Sequence, residues 1–345
     1  MSRGLVLGKF APLHKGHQLL IETALRENRR VLVMIYHAPD VTLVPLTVRA
    51  GWIRALYPDV ELIEAWDGPL QVGGDPELRL RHEDYILRQL GGRSVDRFYS
   101  SEFYGEHVSR ALRALDRRID EPRRRVPISA TAIRANPFRH RQYLEPLVYR
   151  DLIAWVVLLG APSTGKSSLA EALAKAYDTE WIPEYGREYW EEHQRNRRLS
   201  LQQLVEIAEG HREREERLSL RANRYLFIDT DASTTRQFSL HYHDRVAPRL
   251  ENMAVETATR YDLFFLCEDD IPYENSWDRS GFVNRTVFQH QIRADLACRR
   301  IPYISLEGDL EQRMARVESV LERFEKYGSL ADRLLDSKKA SPVRP

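Results

Sequence analysis

The chain has 345 residues, of which 43% are hydrophobic, and its 52 basic and 51 acidic residues give a formal net charge of +1. This length is too great for one ordinary hydrophobic core and predicts two domains. The near balance of charge argues against a nucleic-acid-binding protein. The two cysteines, Cys267 and Cys298, form no Cys-x-x-Cys pair, so neither a disulfide framework nor a structural zinc site is expected.

No targeting or membrane segment is predicted. The first residues lead straight into a short apolar run, without the pattern of a signal peptide. The longest nearly apolar run, 153–162, is far shorter than the roughly 20 residues that cross a bilayer. We therefore expect a cytoplasmic protein without a membrane partner.

In the first half of the chain, short β-rich runs alternate with helical stretches. The predicted strands are 5–7, 31–36, 60–63 and 97–100, and the predicted helices reach position 25 and lie near 48–56 and 78–90. This alternation predicts a doubly wound parallel sheet with helices on both faces, in a Rossmann-like domain over 1–150. The charged run 117–125 breaks the pattern, and a helical connection over 136–151 follows.

The second half begins a new α/β unit, predicted over 151–328. Its expected strands are 154–159, 181–182, 225–228, 263–266 and 303–306, with helices between them and a last helix over 310–327. The polar segment 269–285 has no clear period and is predicted to be a mobile loop. The residues from 329 to 345 are polar, so we expect a disordered tail.

The first candidate site follows the first strand, in the sequence Gly8-Lys9-Phe10-Ala11-Pro12-Leu13-His14-Lys15-Gly16-His17. His14 and His17 are three residues apart, so a helical turn places them on one face. Gly16 removes a side chain between them and lets a phosphate approach the backbone. A helix N-terminus adds free amides and partial positive charge. The segment therefore predicts a cradle for a polyphosphate, against the simpler interpretation of two surface histidines.

A second segment, Ile128-Ser129-Ala130-Thr131-Ala132-Ile133-Arg134, strengthens this interpretation. Ser129 is placed to cap a helix, and Arg134 falls one turn into it. Such a helix start can hold distal phosphates. Alone, the segment would be read as an ordinary capped helix with a solvated arginine.

The two segments resemble the His-x-Gly-His and Ile-Ser-x-Thr-x-x-Arg motifs of the nucleotidyltransferase superfamily. Over 4–149 the chain resembles nicotinamide mononucleotide adenylyltransferases of the NadR type. The resemblance implies that the mononucleotide phosphate attacks the α-phosphorus of ATP, which gives NAD and pyrophosphate. Catalysis is then in-line positioning and neutralisation of charge, without a protein nucleophile.

The resemblance also implies roles for residues. ATP would be bound, and its phosphates held, by Gly8, Lys9, Phe10, His14, Gly16, His17, Ser129, Thr131 and Arg134, with His14, His17 and Arg134 as the catalytic residues. Arg49 and Trp52 are the candidates for binding the phosphate or ring of the mononucleotide.

The second candidate site, Gly160-Ala161-Pro162-Ser163-Thr164-Gly165-Lys166-Ser167, matches the phosphate-loop pattern G-x-x-x-x-G-K-[ST] at every fixed position. It lies between a predicted strand and a predicted helix that begins at Ser168, which is the context the pattern requires. Backbone amides would wrap the phosphates, Lys166 would reach the β- and γ-oxygens, and Ser167 would bind Mg²⁺.

Two acidic residues follow strands of the same domain, at the edge where ligands bind in doubly wound sheets. Asp229 ends the run 225–229 and is a natural partner for Mg²⁺. Glu184 lies in Pro183-Glu184-Tyr185-Gly186-Arg187-Glu188 and is a candidate for contacting a sugar hydroxyl or accepting its proton. A surface acid before a helix is the simpler interpretation of Glu184. Tyr185 and Arg187 are further candidates for binding the substrate.

The polar segment 269–285 contains arginines and aromatic residues that suit a closing lid. Arg279 and Arg285 would neutralise the transferred phosphoryl group, and Tyr273 and Trp277 would face an aromatic base.

From 155 to 327 the chain resembles the ribosylnicotinamide kinase domain of NadR proteins, with Pro-Glu-Tyr-Gly-Arg-Glu and Asp-Thr-Asp as the most specific segments. The resemblance implies phosphorylation of nicotinamide riboside to nicotinamide mononucleotide, the substrate of the first site. The lid departs from the Trp-x-x-Asp-Gly-x-Arg arrangement of some members. Because the first motif starts at Gly8, we expect no DNA-binding domain of the kind that some NadR proteins carry, and no nucleic-acid partner.

Two other interpretations stay open from the sequence. One is a different pair on the same scaffolds, such as phosphopantetheine adenylyl transfer joined to another small-molecule kinase. The other is a sensor, in which nucleotide bound at the phosphate loop controls a partner. A homo-oligomer is also left open. His241 and His243 have no third ligand nearby, so a metal site there is not expected, and the basic run 123–125 is expected to steer substrate or to be solvated.

Overall fold

The computed structural model of the chain describes residues 2–69, 75–102, 105–194, 199–272 and 285–328. It contains two compact units, one that includes Met1–Tyr149 and one formed by Arg150–Lys326. That the pieces 1–150 and 151–328 behave as separate domains stays a prediction. Among the described residues, no helix combines the length and the apolar character that crossing a membrane requires.

The first unit alternates strands and helices in chain order. Its elements are β1 (Arg3–Gly8), α1 (Lys15–Glu27), β2 (Arg30–Tyr36), α2 (Leu46–Leu56), β3 (Glu61–Ala65), α3 (Pro76–Leu90), β4 (Arg97–Ser100), α4 (Gly105–Leu112), β5 (Leu115–Arg118), α5 (Ala130–Ala135) and a 3₁₀ helix (Arg141–Tyr143), and α6 (Pro146–Leu152) crosses into the second unit.

The strands of this unit form one parallel sheet in the order β3-β2-β1-β4-β5. The strand order reverses beside β1. The strands β2 and β3 lie on one side of β1, and the chain then crosses to the other side, where β4 and β5 follow. Such a switch point opens a crevice outside the carboxyl ends of the strands. The core on one face of the sheet is built from apolar side chains of β1, β2, α3 and α4. The predicted doubly wound fold is confirmed for this unit.

The fifth strand, Leu115–Arg118, was missed by the sequence prediction, which treated the charged run from 117 as a break. β5 pairs with β4 at the edge of the sheet, and none of its residues is buried. An edge strand of this kind carries no apolar alternation, so its pairing cannot be read from the residues themselves.

The second unit has the same alternation. Its elements are β6 (Ala154–Leu159), α7 (Lys166–Ala176), β7 (Trp181–Ile182), α8 (Tyr185–His193), α9 (Leu201–Ser219), β8 (Tyr225–Asp229), α10 (Ala232–His243), α11 (Pro248–Arg260), β9 (Leu263–Cys267), α12 (Arg285–Cys298), β10 (Ile304–Leu306) and α13 (Leu310–Leu321).

These strands form a second parallel sheet in the order β10-β9-β6-β8-β7, with the fully buried β6 at its centre. All five predicted strands are present, and the last helix ends at Leu321, before the predicted limit of 327. A core cluster on one face joins β6, α7 and α13, and a separate cluster joins α8, α9 and α11. The crevice at the carboxyl ends of β6 and β8 lies beside this second cluster.

Candidate active sites

The first site begins where β1 ends and α1 starts. His14 is the N-cap of α1, in an extended conformation, and its Nδ1 accepts a hydrogen bond of 3.1 Å from the Gly16 amide. Because Nδ1 accepts, the neutral ring carries its proton on Nε2, which is therefore a donor. A Cβ at Gly16 would lie 2.8 Å from Cε1 of His14, so a larger residue there would displace the imidazole. The glycine thus protects the position of the histidine.

The two histidine rings are in contact, with centroids 3.8 Å apart and planes tilted by 31°. Burial, followed by the charge of Arg123, lowers the pKa of His14 to about 4. Burial and the neighbouring His14 hold the pKa of His17 well below its usual range. Both rings are therefore neutral at pH 7 and can act as hydrogen-bond donors. The positive charge of this site has to come from other side chains.

Arg134 joins the two predicted segments. Its Nη1 donates to the Ala11 carbonyl at 2.6 Å, and its Nη2 donates to Oγ1 of Thr131 at 3.1 Å. Ser129 caps α5 by accepting from the Ala132 amide at 3.1 Å, as the sequence predicts. The helix start and its arginine are therefore placed against the histidine-bearing loop, although 123 positions separate Arg134 from Ala11.

Two further cations lie at this site. Nζ of Lys9 is 3.1 Å from Oδ2 of Asp40, in a pair that is partly exposed on both sides. Arg123 lies in a turn that Asp120 organises by accepting from the amides of three later residues, 124 to 126, and it pairs with Glu102 at 3.0 Å. The charge of Arg123 reaches both histidines. The sequence interpretation of 123–125 as a run that steers substrate or is solvated stays a prediction, and this placement of Arg123 is compatible with it.

Arg49 and Trp52 are placed differently from the prediction. Arg49 is 1% exposed, and its guanidinium donates to the carbonyls of Val44, Tyr36 and Lys9. Burial lowers its pKa to about 10. Trp52 is also 1% exposed and is a core residue. We correct the expectation accordingly. Arg49 supports the loop that follows β1 through its hydrogen bond to the Lys9 carbonyl, and neither side chain is exposed for contact with a mononucleotide.

An exposed aromatic residue that the sequence interpretation missed follows β3. Trp66 is 51% exposed, its ring centroid lies 5.9 Å from that of His37, and its Nε1 donates to Glu64 at 3.1 Å. His37 follows β2, so both rings stand at the carboxyl ends of neighbouring parallel strands. The position of Trp66 directly after a strand was the sequence signal that favours it over Trp52 as a candidate for contacting a ligand.

The second site is the loop between β6 and α7. Gly160 and Gly165 have φ angles of 146° and 78°, and a Cβ at Gly160 would lie 2.6 Å from the Cys267 carbonyl. Only glycine adopts such a backbone at little cost. Nζ of Lys166 is buried and donates to the Ala161 carbonyl at 3.0 Å, inside the loop. Ser163, Thr164 and Ser168 line the same cavity as Lys166.

Ser167 and Asp229 form the candidate metal site. Oγ of Ser167 donates to Oδ2 of Asp229, and Oδ1 of this fully buried carboxylate makes no hydrogen bond in the described part of the chain. Burial, opposed by the charge of Lys166 and reinforced by that of Glu184, raises the pKa of Asp229 to about 6. A hydroxyl beside a carboxylate with one free oxygen fits the way Mg²⁺ is held in such loops, with phosphate oxygens and water completing its coordination.

A cavity of about 440 Å³ opens from this loop. Glu184 and Arg187 line it, and Glu184 is the N-cap residue of α8. Apolar and aromatic side chains line another part of the wall, from Trp190, Leu204, Ile207, Phe238, Tyr242 and Phe288. Polar side chains of Thr230, Asp231, Thr234 and Thr235 also contribute to it. The cavity therefore joins a polar phosphate end to an apolar end.

The other residues predicted to bind at this site have different outcomes. Tyr185 is absent from the cavity wall and packs on α9, where a Cβ at Gly210 would lie 2.3 Å from its Cε1 and where Arg214 lies 4.1 Å from its ring centroid. We therefore correct its assignment to a packing residue. Arg285 lines the cavity and donates to the Ile271 carbonyl at 2.8 Å. The remaining lid candidates, Tyr273, Trp277 and Arg279, lie outside the described residues.

Two family models match the chain, a cytidylyltransferase-like model over residues 5–136 and an AAA domain model over residues 155–313. The trifunctional NAD biosynthesis/regulator protein NadR of Salmonella typhimurium strain LT2 is 33% identical over 348 residues, which cover 94% of this chain and 84% of that protein. The protein of the same name from Escherichia coli K12 is 29% identical over 350 residues, with coverages of 92% and 82%.

Solved structures agree with the fold. A crystal structure of NadR protein with NAD and AMP-PNP has a TM-score of 0.57 at 22% identity and covers 93% of this chain and 95% of that chain. A crystal structure of NadR protein with NR has a TM-score of 0.56 at 23% identity and the same coverages. At these identities the structural likeness shows that the two-unit fold is shared.

Proposed function

The chain belongs to the NadR family, and we propose that it is a bifunctional enzyme of NAD salvage. The second unit phosphorylates nicotinamide riboside with ATP, and the first unit joins the resulting mononucleotide to the adenylyl group of ATP. The observation that carries the proposal is that a histidine-bearing helix start at His14 and a glycine-rich loop around Lys166 occur in one chain that aligns with NadR over 94% of its length.

In the kinase reaction the chain acts mainly by positioning. The amides of the loop 160–167 hold the β-phosphate, and Lys166 moves from the Ala161 carbonyl to the β- and γ-oxygens of ATP. Glu184 lines the cavity on the acceptor side, where it accepts the proton of the 5′-hydroxyl. The apolar end of the cavity holds the flat, cationic nicotinamide ring, for which aromatic faces are suited.

Mg²⁺ belongs to this proposal. Ser167 and Asp229 would hold the ion, which when bound neutralises charge on the transferred phosphoryl group. Arg187 and Arg285 line the same cavity and add positive charge around the phosphates. The nucleotide substrates of both steps are those of the cytoplasm, where we place the enzyme.

In the adenylyl transfer the first unit needs no nucleophile of its own. The neutral imidazoles of His14 and His17 donate hydrogen bonds to the triphosphate, and Arg134 and Lys9 supply the positive charge that the leaving pyrophosphate requires. The phosphate of nicotinamide mononucleotide then attacks the α-phosphorus in line. The exposed Trp66 is our candidate for stacking on the nicotinamide ring, in place of the buried Trp52.

The test is a two-step assay of the purified chain with nicotinamide riboside and MgATP, in which both mononucleotide and NAD are followed. We expect the riboside to pass through the mononucleotide to NAD. If the riboside is inert while phosphopantetheine or another nucleoside turns over, the substrate assignment is wrong. Nucleotide binding without any turnover would favour a sensor.

A further inference from the structure

We propose that His211 is a substrate-contacting residue of the kinase site that recognises a ribose hydroxyl of the acceptor. The proposal deepens the kinase function proposed above and rests on it. It starts from helix α9, on which Leu204, Ile207 and His211 all line the cavity. Their spacing of three and four residues places them on one face of the helix. The apolar stripe of that face therefore ends in an imidazole.

Glu215 continues this face one turn further and is 0% exposed. Its Oε2 accepts from Nε of Arg260 at 2.6 Å, and its Oε1 accepts from the Tyr261 hydroxyl at 2.7 Å. The guanidinium of Arg260 also lies 5.2 Å from the centroid of the Trp155 ring, which limits its movement. The carboxylate beside His211 is thus fixed by neighbours on other elements.

The imidazole of His211 is buried yet unsatisfied. The residue is 5% exposed, its Nε2 makes no hydrogen bond in the described part of the chain, and that atom lies 3.5 Å from Oε1 of Glu215. A histidine that serves only the core is expected to have its buried nitrogens paired. A proton on Nε2 would face the Glu215 carboxylate, and Nδ1 is then the ring atom that our proposal assigns as the acceptor for a hydroxyl of the substrate.

The position along α9 indicates which part of the acceptor is contacted. Leu204 and Ile207 pack in the apolar cluster with Trp190, at the apolar end of the cavity. His211, further along the helix, is close enough to Asp229 to affect its charge state. A nucleoside with its base at the apolar end and its 5′-hydroxyl at the phosphate loop has its sugar between the two. His211 therefore faces the sugar.

Two other roles fit the surroundings less well. No group of three or more His, Cys, Asp and Glu side chains in the described ranges is arranged to hold a metal ion, which argues against His211 as a ligand. The second role, taking up the proton of the acceptor hydroxyl, does not require His211, because Glu184 and Asp229 already supply carboxylates beside the phosphate loop. Among the residues of α9 that line the cavity, His211 is the one with a polar side chain.

The experiment compares His211→Leu with His211→Asn, whose side-chain amide can place an oxygen near the position of Nδ1. Kinase kcat/KM is measured with nicotinamide riboside and with its 2′-deoxy and 3′-deoxy analogues. For the riboside we expect a loss of about 10- to 100-fold in the Leu variant, the range for one hydrogen bond to substrate, and partial recovery in the Asn variant. For one of the deoxy analogues the Leu variant should equal the unmodified enzyme.

The analogues separate recognition from folding, because a structural defect lowers kcat/KM for every acceptor by the same factor. His290→Leu, at an exposed position of α12, is the matched control and should leave all three acceptors unchanged. Equal losses on riboside and both analogues, or no loss on the riboside, would overturn the role of His211. If the unmodified enzyme phosphorylates none of the three acceptors, it is the kinase assignment itself that fails.

Discussion

The two proposed phosphate sites are built in opposite ways. In the second unit, eight consecutive residues contain the glycines, the lysine and the serine, and the buried ammonium of Lys166 is held inside its own loop. In the first unit, neutral histidines at a helix start meet an arginine from a helix more than a hundred residues later. One site is local and charged, and the other is assembled and depends largely on neutral donors. The two activities should therefore respond differently to the same perturbation.

The largest expected effect is that of Lys166→Ala, which removes the only lysine within the loop 160–167. The kinase rate should fall by at least about 10³-fold, the upper range for loss of one preorganised donor at a developing charge. Adenylyl transfer from supplied mononucleotide should stay within about twofold, because His14 and His17 belong to the other unit. Formation of each product by the same preparation measures both. A parallel loss of adenylyl transfer would break the proposed independence.

The reverse variant, His17→Ala, tests the assembled site. Removing a neutral donor should lower adenylyl transfer by about 10²-fold, less than the loss of the lysine charge in the other unit. Phosphorylation of the riboside should be unchanged and mononucleotide should accumulate. His107→Ala, at a histidine of α4 that pairs with Glu83, is the matched control and should leave both rates unchanged.

The contrast between the sites extends to what could be read from the sequence. At the local site, the loop 160–167 could be read from the sequence because its pattern is contiguous, and Asp229 because it ends a predicted strand, whereas Tyr185 was assigned to substrate and packs on α9. At the assembled site the histidines and Arg134 were predicted by motif, but Arg49 and Trp52 were assigned to substrate and lie buried. The residue pattern of α2 predicts an apolar face. It does not predict that Arg49 on that helix donates hydrogen bonds to three backbone carbonyls.

Exposure was the other quantity that the sequence could not supply. Trp66 and Trp52 are the same residue type, and only the folded structure shows that Trp66 is exposed and Trp52 is buried. Tyr185 belongs to the segment that most resembles the kinase family, yet its ring packs on α9. The edge strand β5 was missed because its pairing depends on β4 and not on its own apolar residues.

Acidic pH should separate the two activities further. Burial raises the pKa of Asp229 to about 6, so protons compete with Mg²⁺ for this carboxylate below that pH. The half-saturating Mg²⁺ concentration of the kinase should rise by about tenfold between pH 7 and pH 5. Adenylyl transfer should change less, because the pKa of His14 is lowered to about 4 and the ring stays neutral over that range. Since both steps use MgATP, their ratio cancels protonation of the nucleotide. An unchanged ratio would contradict the assignment of Asp229.

The smallest expected effect concerns Trp66. Trp66→Ala should raise the KM for mononucleotide in adenylyl transfer by about 5- to 10-fold, the lower range for loss of one stacking contact. Trp66→Phe should preserve most of the affinity, and neither variant should alter phosphorylation of the riboside. A KM that stays the same in Trp66→Ala would show that the nicotinamide ring binds elsewhere.

The most direct test of two separate, consecutive sites is complementation between two full-length variants, each inactivated at one site. Lys166→Ala and His17→Ala are each incubated with nicotinamide riboside and MgATP, alone and mixed, and NAD is measured. We predict that neither variant alone forms NAD above about 1% of the unmodified rate, and that the mixture does, because mononucleotide made by one diffuses to the other. A mixture that forms no NAD, with mononucleotide accumulating or absent, would contradict the account.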